Sequence, residues 1–221
     1  KHTPLITRRP RPCPGMSSYS PKGALSTDLQ KTLQNTVKKG DLKRLKQLFA
    51  NIDVNSCGSN GFSALHYAAH YGTKKLIHAI IEECGGDIDI VTDRGNSAMH
   101  IAVYEGHVSI IATMVQLGAY VDCVSEDGKA VVELCASARV KRALDKFIPG
   151  GSDVPDVTGF TREYCVSVLG IVPSASRAQI INTYRQLMRK TYPQEGEATE
   201  GTAAWERCCK LRAAYYWLRT N

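Results

Sequence analysis

Residues 61–68 read GFSALHYA, and residues 95–102, 34 positions later, read GNSAMHIA. Gly72 and Gly106 keep the same offset, and a weaker third start follows 33 residues further on, where residues 128–132 read GKAVV. A matched octapeptide with a second glycine in phase is typical of repeat proteins. The pattern predicts that a stack of repeated units forms the main body of the chain.

Each unit has the composition of a short helix pair. The leading glycine suits a tight turn, Ser63 or Ser97 can cap the first helix, and Gly72 or Gly106 ends it. A second apolar helix then runs to Gly85 or Gly118 (Leu76, Ile77, Ile80 and Ile81 in one unit; Val108, Ile111, Met114 and Val115 in the next). Only a neighbouring unit can cover the apolar face of such a pair, so we expect the pairs to stack.

These units resemble the ankyrin-repeat family, whose pattern is G-x-T-P-L-H-x-A, followed by G-H, L-L and G-A. Alanines stand at positions 64 and 98, where the family usually has proline. Residues 29–49 resemble an N-terminal capping helix pair and residues 130–147 a truncated C-terminal cap. The resemblance implies an all-α stack of two full repeats between two caps.

The resemblance also implies which residues face a partner protein. They are Asn60, Phe62, His70 and Tyr71 in the first unit, and Asp93, Arg94, Asn96, Tyr104 and Glu105 in the second. Phe62, Tyr71 and Tyr104 are aromatic at positions that the repeat core does not need, which is the composition of an interface anchor. His66 and His100 are the pattern histidines, and we expect them to tie adjacent repeats by hydrogen bonds. His66 and His70 have the spacing of a helical zinc pair, but we interpret them as structural.

A second helical region follows. Ser176 and Gln179 fit a capping box, the next helix carries Ile180, Tyr184 and Leu187 on one face, and a last helix carries an apolar series that includes Trp205, Cys208, Leu211, Ala214, Tyr215 and Leu218. Together with the Leu-Gly turn at 169–170, these residues resemble a J domain over about 58 residues.

This J-like region departs from the family at its signature. Active J domains stimulate a chaperone ATPase through the tripeptide His-Pro-Asp, and Tyr192-Pro193-Gln194 stands there instead. The titratable donor and the carboxylate are both missing, so we expect a J-like fold without that activity. Arg185, Arg189 and Lys190 form a basic stripe, which faces either the chaperone, as in active J domains, or solvent.

Composition divides the chain into four parts: a basic, proline-rich tail (1–27), an ankyrin-repeat domain (28–147), a Pro/Gly linker (148–159) and a J-like helical domain (160–221). The net charge is +7, and the tail carries five cations without an acid, including Arg8, Arg9 and Arg11. Such a tail suits a solvated segment, a targeting segment, or contact with nucleic acid or an acidic protein groove, and nucleic-acid binding is expected only there.

Several function classes are disfavoured. The sequence has no phosphate loop, dinucleotide fingerprint, hydrolase motif or C-x-x-C pair, so we expect no enzyme, no cofactor and no metal site. The eight cysteines are irregularly spaced and no secretory signal or membrane span is evident, which favours a reducing intracellular compartment, either cytoplasm or mitochondrial matrix.

The sequence therefore predicts a non-catalytic interaction scaffold or a structural subunit of a larger assembly. Other subunits would dock on the ankyrin fingers and on the J-like domain. Two alternatives remain open. One is a co-chaperone that acts through the J-like domain, and the other is an RNA-associated subunit that uses the tail.

Overall fold

The computed structural model describes residues 25–135, 137–149, 155–192 and 202–220. Within these ranges the regular elements are helices, joined by loops that contain two isolated β-bridges, Val91 to Ser97 and Val124 to Ala130. The helices are α1 (Thr27–Lys39), α2 (Leu42–Phe49), α3 (Ala64–His70), α4 (Lys74–His78), α5 (Ala98–Tyr104), α6 (Val108–Gln116), α7 (Ala138–Phe147), α8 (Arg162–Leu169), α9 (Arg177–Thr191) and α10 (Ala203–Thr220). The expected all-helical repeat stack is confirmed.

Helices α1 to α6 form three successive antiparallel pairs. In the two pattern repeats the backbone N–H of Ser63 or Ser97 donates to Nδ1 of the histidine three residues later, at 3.1 Å in each. Each histidine thus caps the first turn of its own helix. Helix α1 begins after its cap Ser26, and the buried Leu25 before it donates its backbone N–H to Cys57.

The second helix of the first pattern repeat contains one residue more than its counterpart. Gly72 and Gly85 are 13 positions apart, whereas Gly106 and Gly118 are 12 apart. The structure accommodates the additional residue by widening the helix after α4 into a π-turn at Ala79–Glu83. Single π-turns are the usual way in which a helix absorbs an insertion without losing its direction.

The third repeat start is much reduced. Its first helix is a single 3-10 turn, Val131–Leu134, and Ala130 stands where the other repeats have a capping serine. Glu133 stands where those repeats have the pattern histidine, and its carboxylate accepts the Ala130 backbone N–H at 2.9 Å. Helix α7 then packs against α6 and closes this end of the stack.

Helices α8 and α9 both pack on α10, and this C-terminal three-helix unit lies directly against the ankyrin stack. Tyr215 on α10 stacks on Tyr184 at 3.9 Å between ring centroids, and it meets Tyr120 of the stack edge-on at 5.5 Å. Ile148 and Pro149, which the sequence assigned to a linker, are buried between the two parts. One continuous apolar core therefore runs from Leu25 to Tyr215.

No helix in the described ranges combines the length and the apolar character needed to cross a bilayer. Those ranges also contain no group of three or more His, Cys, Asp or Glu side chains arranged to hold a metal ion.

Candidate partner-binding groove

An open groove of about 640 Å³ lies along the finger loops and the first helices of the stack. Its walls come from α1, from both pattern repeats and from the reduced third repeat. The lining residues are Gln30, Gln34, Asn60, Phe62, Tyr67, His70, Arg94, Asn96, His100, Ile101, Tyr104, Glu105, Ser125, Asp127, Lys129 and Leu134. The groove therefore crosses every layer of the stack, and its shape depends on how the layers are tied together.

Seven of the nine residues that the sequence assigned to partner contact line this groove, and Tyr71 and Asp93 do not. The Tyr71 hydroxyl accepts a hydrogen bond from Gln34 at 3.0 Å, so its ring ties the first pattern repeat to α1. The backbone of Asp93 lies so close to Gly61 that a Cβ at Gly61 would be 2.4 Å from its nitrogen. Both residues instead connect neighbouring layers of the stack.

A cluster of amide side chains forms the N-terminal end of the groove. The Gln30 amide donates to Asn60 at 3.0 Å and to the Tyr67 hydroxyl at 3.1 Å, while its oxygen accepts the Ser59 backbone N–H at 3.2 Å. These bonds hold the first finger against α1. Gln30 and Gln34 were not among the residues predicted to contact a partner. Their only signal was a polar i, i+4 pair on one face of the capping helix.

A side-chain contact between two repeats lies at the centre of the groove. Nδ1 of His70 is 2.9 Å from the Glu105 carboxylate, and Nε2 of His107 donates to the His70 carbonyl at 2.9 Å. The imidazole of His107 also packs on Gly72, and a Cβ added at Gly72 would lie only 3.1 Å from the His107 ring. The two first helices are thus held at a fixed separation at the point where a ligand would cross from one repeat to the next.

The aromatic residues of the groove differ in exposure. Tyr104 is 67% exposed, the most exposed large apolar side chain in the described ranges. Phe62 is half-buried, with ring centroids 5.6 Å from His66 and 5.4 Å from Tyr67. Tyr71 is half-buried as well. The core uses Phe62 and Tyr71, contrary to the expectation that all three rings were free, and Tyr104 alone remains as an unengaged anchor.

The far end of the groove is charged. Arg94 and Lys129 are exposed on neighbouring fingers, and neither forms an ion pair with another described residue. The Arg94 carbonyl accepts the Glu126 backbone N–H at 3.1 Å, which joins the two fingers. The Asp127 carboxylate lines the groove beside them. This end offers two cations and one acid to an incoming polar group.

The pattern histidines lie below the groove. Because Nδ1 of His66 accepts the Ser63 N–H, its Nε2 carries the proton and donates to the Asn96 carbonyl of the next repeat at 3.2 Å. Burial lowers the pKa of His66 to about 4. His66 therefore makes the expected inter-repeat bond as a neutral ring. Nε2 of His100 has no hydrogen-bond partner among the described residues, and Cys123 approaches its Nδ1 at 3.7 Å.

The residues that carry the J-like resemblance have only partly described positions. Pro193, Gln194 and the tail residues Arg8, Arg9 and Arg11 lie outside the described residues. Tyr192 is buried, and its hydroxyl donates to the Phe147 carbonyl at 2.8 Å. This ring is therefore used inside the chain, where it fastens the end of α9 to the end of α7.

The expected basic stripe on α9 also faces inward in part. The Arg185 guanidinium is 2.8 Å from Asp87 and 2.9 Å from Asp89, and Nε of Arg189 donates to the Leu117 carbonyl at 3.3 Å. The stripe is therefore not simply a solvated face, since two of its three cations contact the ankyrin stack.

Comparison with known proteins agrees with this architecture. A family model described as ankyrin repeats (3 copies) matches residues 33–127. The Notch-regulated ankyrin repeat-containing protein of Xenopus tropicalis is 34% identical over 96 residues, which cover 41% of this chain and 83% of the relative. The human protein of that name is 32% identical over the same shares. The chain belongs to the ankyrin-repeat family.

A larger protein matches a longer stretch. The Target of rapamycin complex 2 subunit AVO2 of Saccharomyces cerevisiae is 30% identical over 125 residues, or 54% of this chain and 28% of the relative. The repeats identify the chain as a protein-protein interaction protein.

Proposed function

We propose that this chain is a non-catalytic subunit that holds a segment of one partner protein in the groove between Gln30 and Leu134. The observation that carries the proposal is the position of Tyr104. This ring stands 67% exposed beside the His70–Glu105 pair, with uncommitted cations at one end of the groove and amides at the other. An exposed tyrosine among satisfied polar groups is the usual composition of a binding hot spot.

The size of the groove limits what it can hold. A volume of about 640 Å³ is within the range of pockets that enclose a small ligand, and here it is spread over several stack layers. It suits a few residues of an extended segment better than a whole domain face. One modest partner contact is the expected capacity, so a larger assembly would require additional surfaces.

Two further points support a role within an assembly. One relative is named as a subunit of a complex, and ankyrin repeats as a family act through protein contacts. For the C-terminal unit, which resembles a J domain, we propose docking without chaperone stimulation. The support is that Tyr192 and Arg185 are both engaged within the chain.

Affinity purification of the full chain with paired variants tests the proposed groove. Tyr104→Ala together with Arg94→Glu removes the exposed anchor and reverses a cation without touching the core. Tyr164→Ala is the matched control, because Tyr164 is 44% exposed on α8 and does not line the groove. We expect the groove variant to lose a partner that the wild type and the control both retain. Identical partner sets from all three chains would contradict the proposal.

A further inference from the structure

The ankyrin stack and helix α9 have opposite charges where they meet. Residues 25–135 contain thirteen Asp or Glu against ten Lys or Arg. Helix α9 carries Arg177, Arg185, Arg189 and Lys190 without an acid. Arg185, at the centre of this helix, faces the carboxylates of Asp87 and Asp89, which lie in the loop after the second helix of the first pattern repeat. The stack thus presents carboxylates to a basic residue of α9, as an acidic partner protein would.

Arg185 is held firmly in this position. Its side chain is 17% exposed, and although burial opposes its charge, the carboxylates of Asp89 and Asp87 outweigh that effect and raise the pKa of the guanidinium. Asp89 is itself fixed, because its other oxygen accepts the Tyr120 backbone N–H at 2.8 Å. Charge-assisted contacts of this kind are among the stronger polar interactions in proteins.

The approach of the two parts depends on a glycine. Gly118 ends the second helix of its repeat at φ +80°, and a Cβ added there would lie 2.9 Å from the Arg185 Cα. Gly85 occupies the equivalent position one repeat earlier at φ +72°, and a Cβ added there would have no neighbouring atom within 4 Å. Both glycines satisfy the backbone turn, but only Gly118 also lets a second helix pack backbone against backbone.

We propose that the ankyrin stack masks the basic face of α9 within the chain. Asp87 and Asp89 pair with Arg185, so an acidic partner can bind that arginine only when the C-terminal unit moves away from the stack. This masking is separate from the proposed groove, because no residue that lines the groove takes part in it. The stack therefore has two roles on two surfaces, one toward a partner and one toward its own C-terminal unit.

The two glycines provide a matched pair of variants in the full chain. Gly118→Ala and Gly85→Ala both place a side chain at positive φ, but only Gly118→Ala also drives a methyl group into α9. The probe is a fluorescein-labelled decaglutamate peptide, followed by anisotropy at low salt. Hydrogen exchange of the α9 amides is measured on the same samples. We expect Gly118→Ala to expose α9 and to bind the peptide at least tenfold more tightly than either the wild type or Gly85→Ala. Adding Arg185→Ala to Gly118→Ala should remove the gain.

Three results would overturn the masking. The α9 amides of Gly118→Ala could stay as protected as in the wild type. The helix could open without any gain in peptide binding. Arg185→Ala could weaken peptide binding of the otherwise unchanged chain, which would show that the arginine is already accessible. If circular dichroism shows that Gly118→Ala is unfolded, the double variant Asp87→Asn with Asp89→Asn replaces it. Its control is Asp28→Asn with Asp53→Asn, which removes two exposed acids outside the groove. A gain in peptide binding over this control supports the masking, and its absence contradicts it.

Discussion

Arg212 on α10 and Asp122 in the loop after α6 form a buried ion pair across 90 residues of sequence, with side chains only 3% and 4% exposed. Nε of Arg212 donates to one carboxylate oxygen at 3.2 Å, and a terminal nitrogen of the same guanidinium donates to the Pro149 carbonyl at 2.9 Å. One arginine thus joins the C-terminal unit, the ankyrin stack and the segment between them. A buried pair of this kind is costly to form but more costly to break on one side.

Removing the acid of this pair should destabilise the whole chain. Asp122→Ala leaves a buried guanidinium without its counter-ion, and we expect it to lower the free energy of unfolding by about 3–5 kcal/mol. The exposed pair Lys46–Glu83 provides the comparison, because Glu83→Ala breaks a solvent-screened contact and should cost far less. Urea denaturation measures both. An Asp122→Ala chain as stable as Glu83→Ala would contradict a buried linkage.

His66 should make stability sensitive to acid. Its pKa is about 4 in the folded chain and 6.5 in an unfolded one, so protonation favours unfolding. The contribution is fully present above pH 6.5 and is lost as the pH falls toward 4, by up to about 3 kcal/mol. The stability difference between wild type and His66→Gln should shrink over that range. A difference that stays constant with pH would show that the His66 ring is not buried in its neutral form.

Tyr192 provides a direct check on how the C-terminal unit is fastened. Tyr192→Phe keeps the ring against Trp205 but removes the hydroxyl that donates to the Phe147 carbonyl. We expect a loss of about 0.5–1.5 kcal/mol in unfolding free energy, typical of one buried hydrogen bond. Tyr164→Phe, on an exposed face, should change nothing measurable. If the two variants are equally stable, the Tyr192 hydroxyl does not make this bond.

Truncation of two aromatic residues of the groove should lower the stability of the fold by very different amounts. Phe62→Ala removes a half-buried ring that packs on Tyr67 and should cost about 2–4 kcal/mol of stability. Tyr104→Ala removes a ring that is 67% exposed and should change stability by less than about 0.5 kcal/mol. Thermal unfolding of both variants measures the contrast. A large loss from Tyr104→Ala would make it a core residue and would remove it from the proposed partner contact.

The repeat pattern predicted most of the ankyrin architecture because it records local constraints. A turn glycine, a capping serine and a pattern histidine each act within a few residues, so their spacing is visible in the chain. The π-turn at Ala79–Glu83 is visible too, as the single additional residue between Gly72 and Gly85.

The docking of the C-terminal unit could not be read in the same way. Arg185 and Asp87 meet across 98 residues, and nothing in the local sequence separates an arginine that meets an aspartate of the ankyrin stack from one that faces water. Tyr192 shows the same limit: its position at the end of a helix does not tell whether the ring is buried, and only the contacts with Phe147 and Trp205 show that it is internal.

The resemblance to ankyrin repeats named several residues that the structure places along the groove, among them Asn60, Arg94 and Tyr104. That they contact a partner remains a prediction. Gln30 and Gln34 were missed because they belong to a capping helix without the repeat pattern. Their role depends on the distance between α1 and the first finger, which is a property of the stack and not of any one segment.

Site-specific photo-crosslinking tests the proposed partner groove most directly. A benzoylphenylalanine replaces Tyr104 in one full-length chain and Tyr164 in another, and each is irradiated in cells that express the protein. Both positions are exposed tyrosines, but only Tyr104 lies in the groove. We expect a discrete protein adduct at position 104 that is absent at position 164 and is lost when Arg94→Glu is added. Equal adducts at both positions, or no adduct at position 104, would contradict a partner held in this groove.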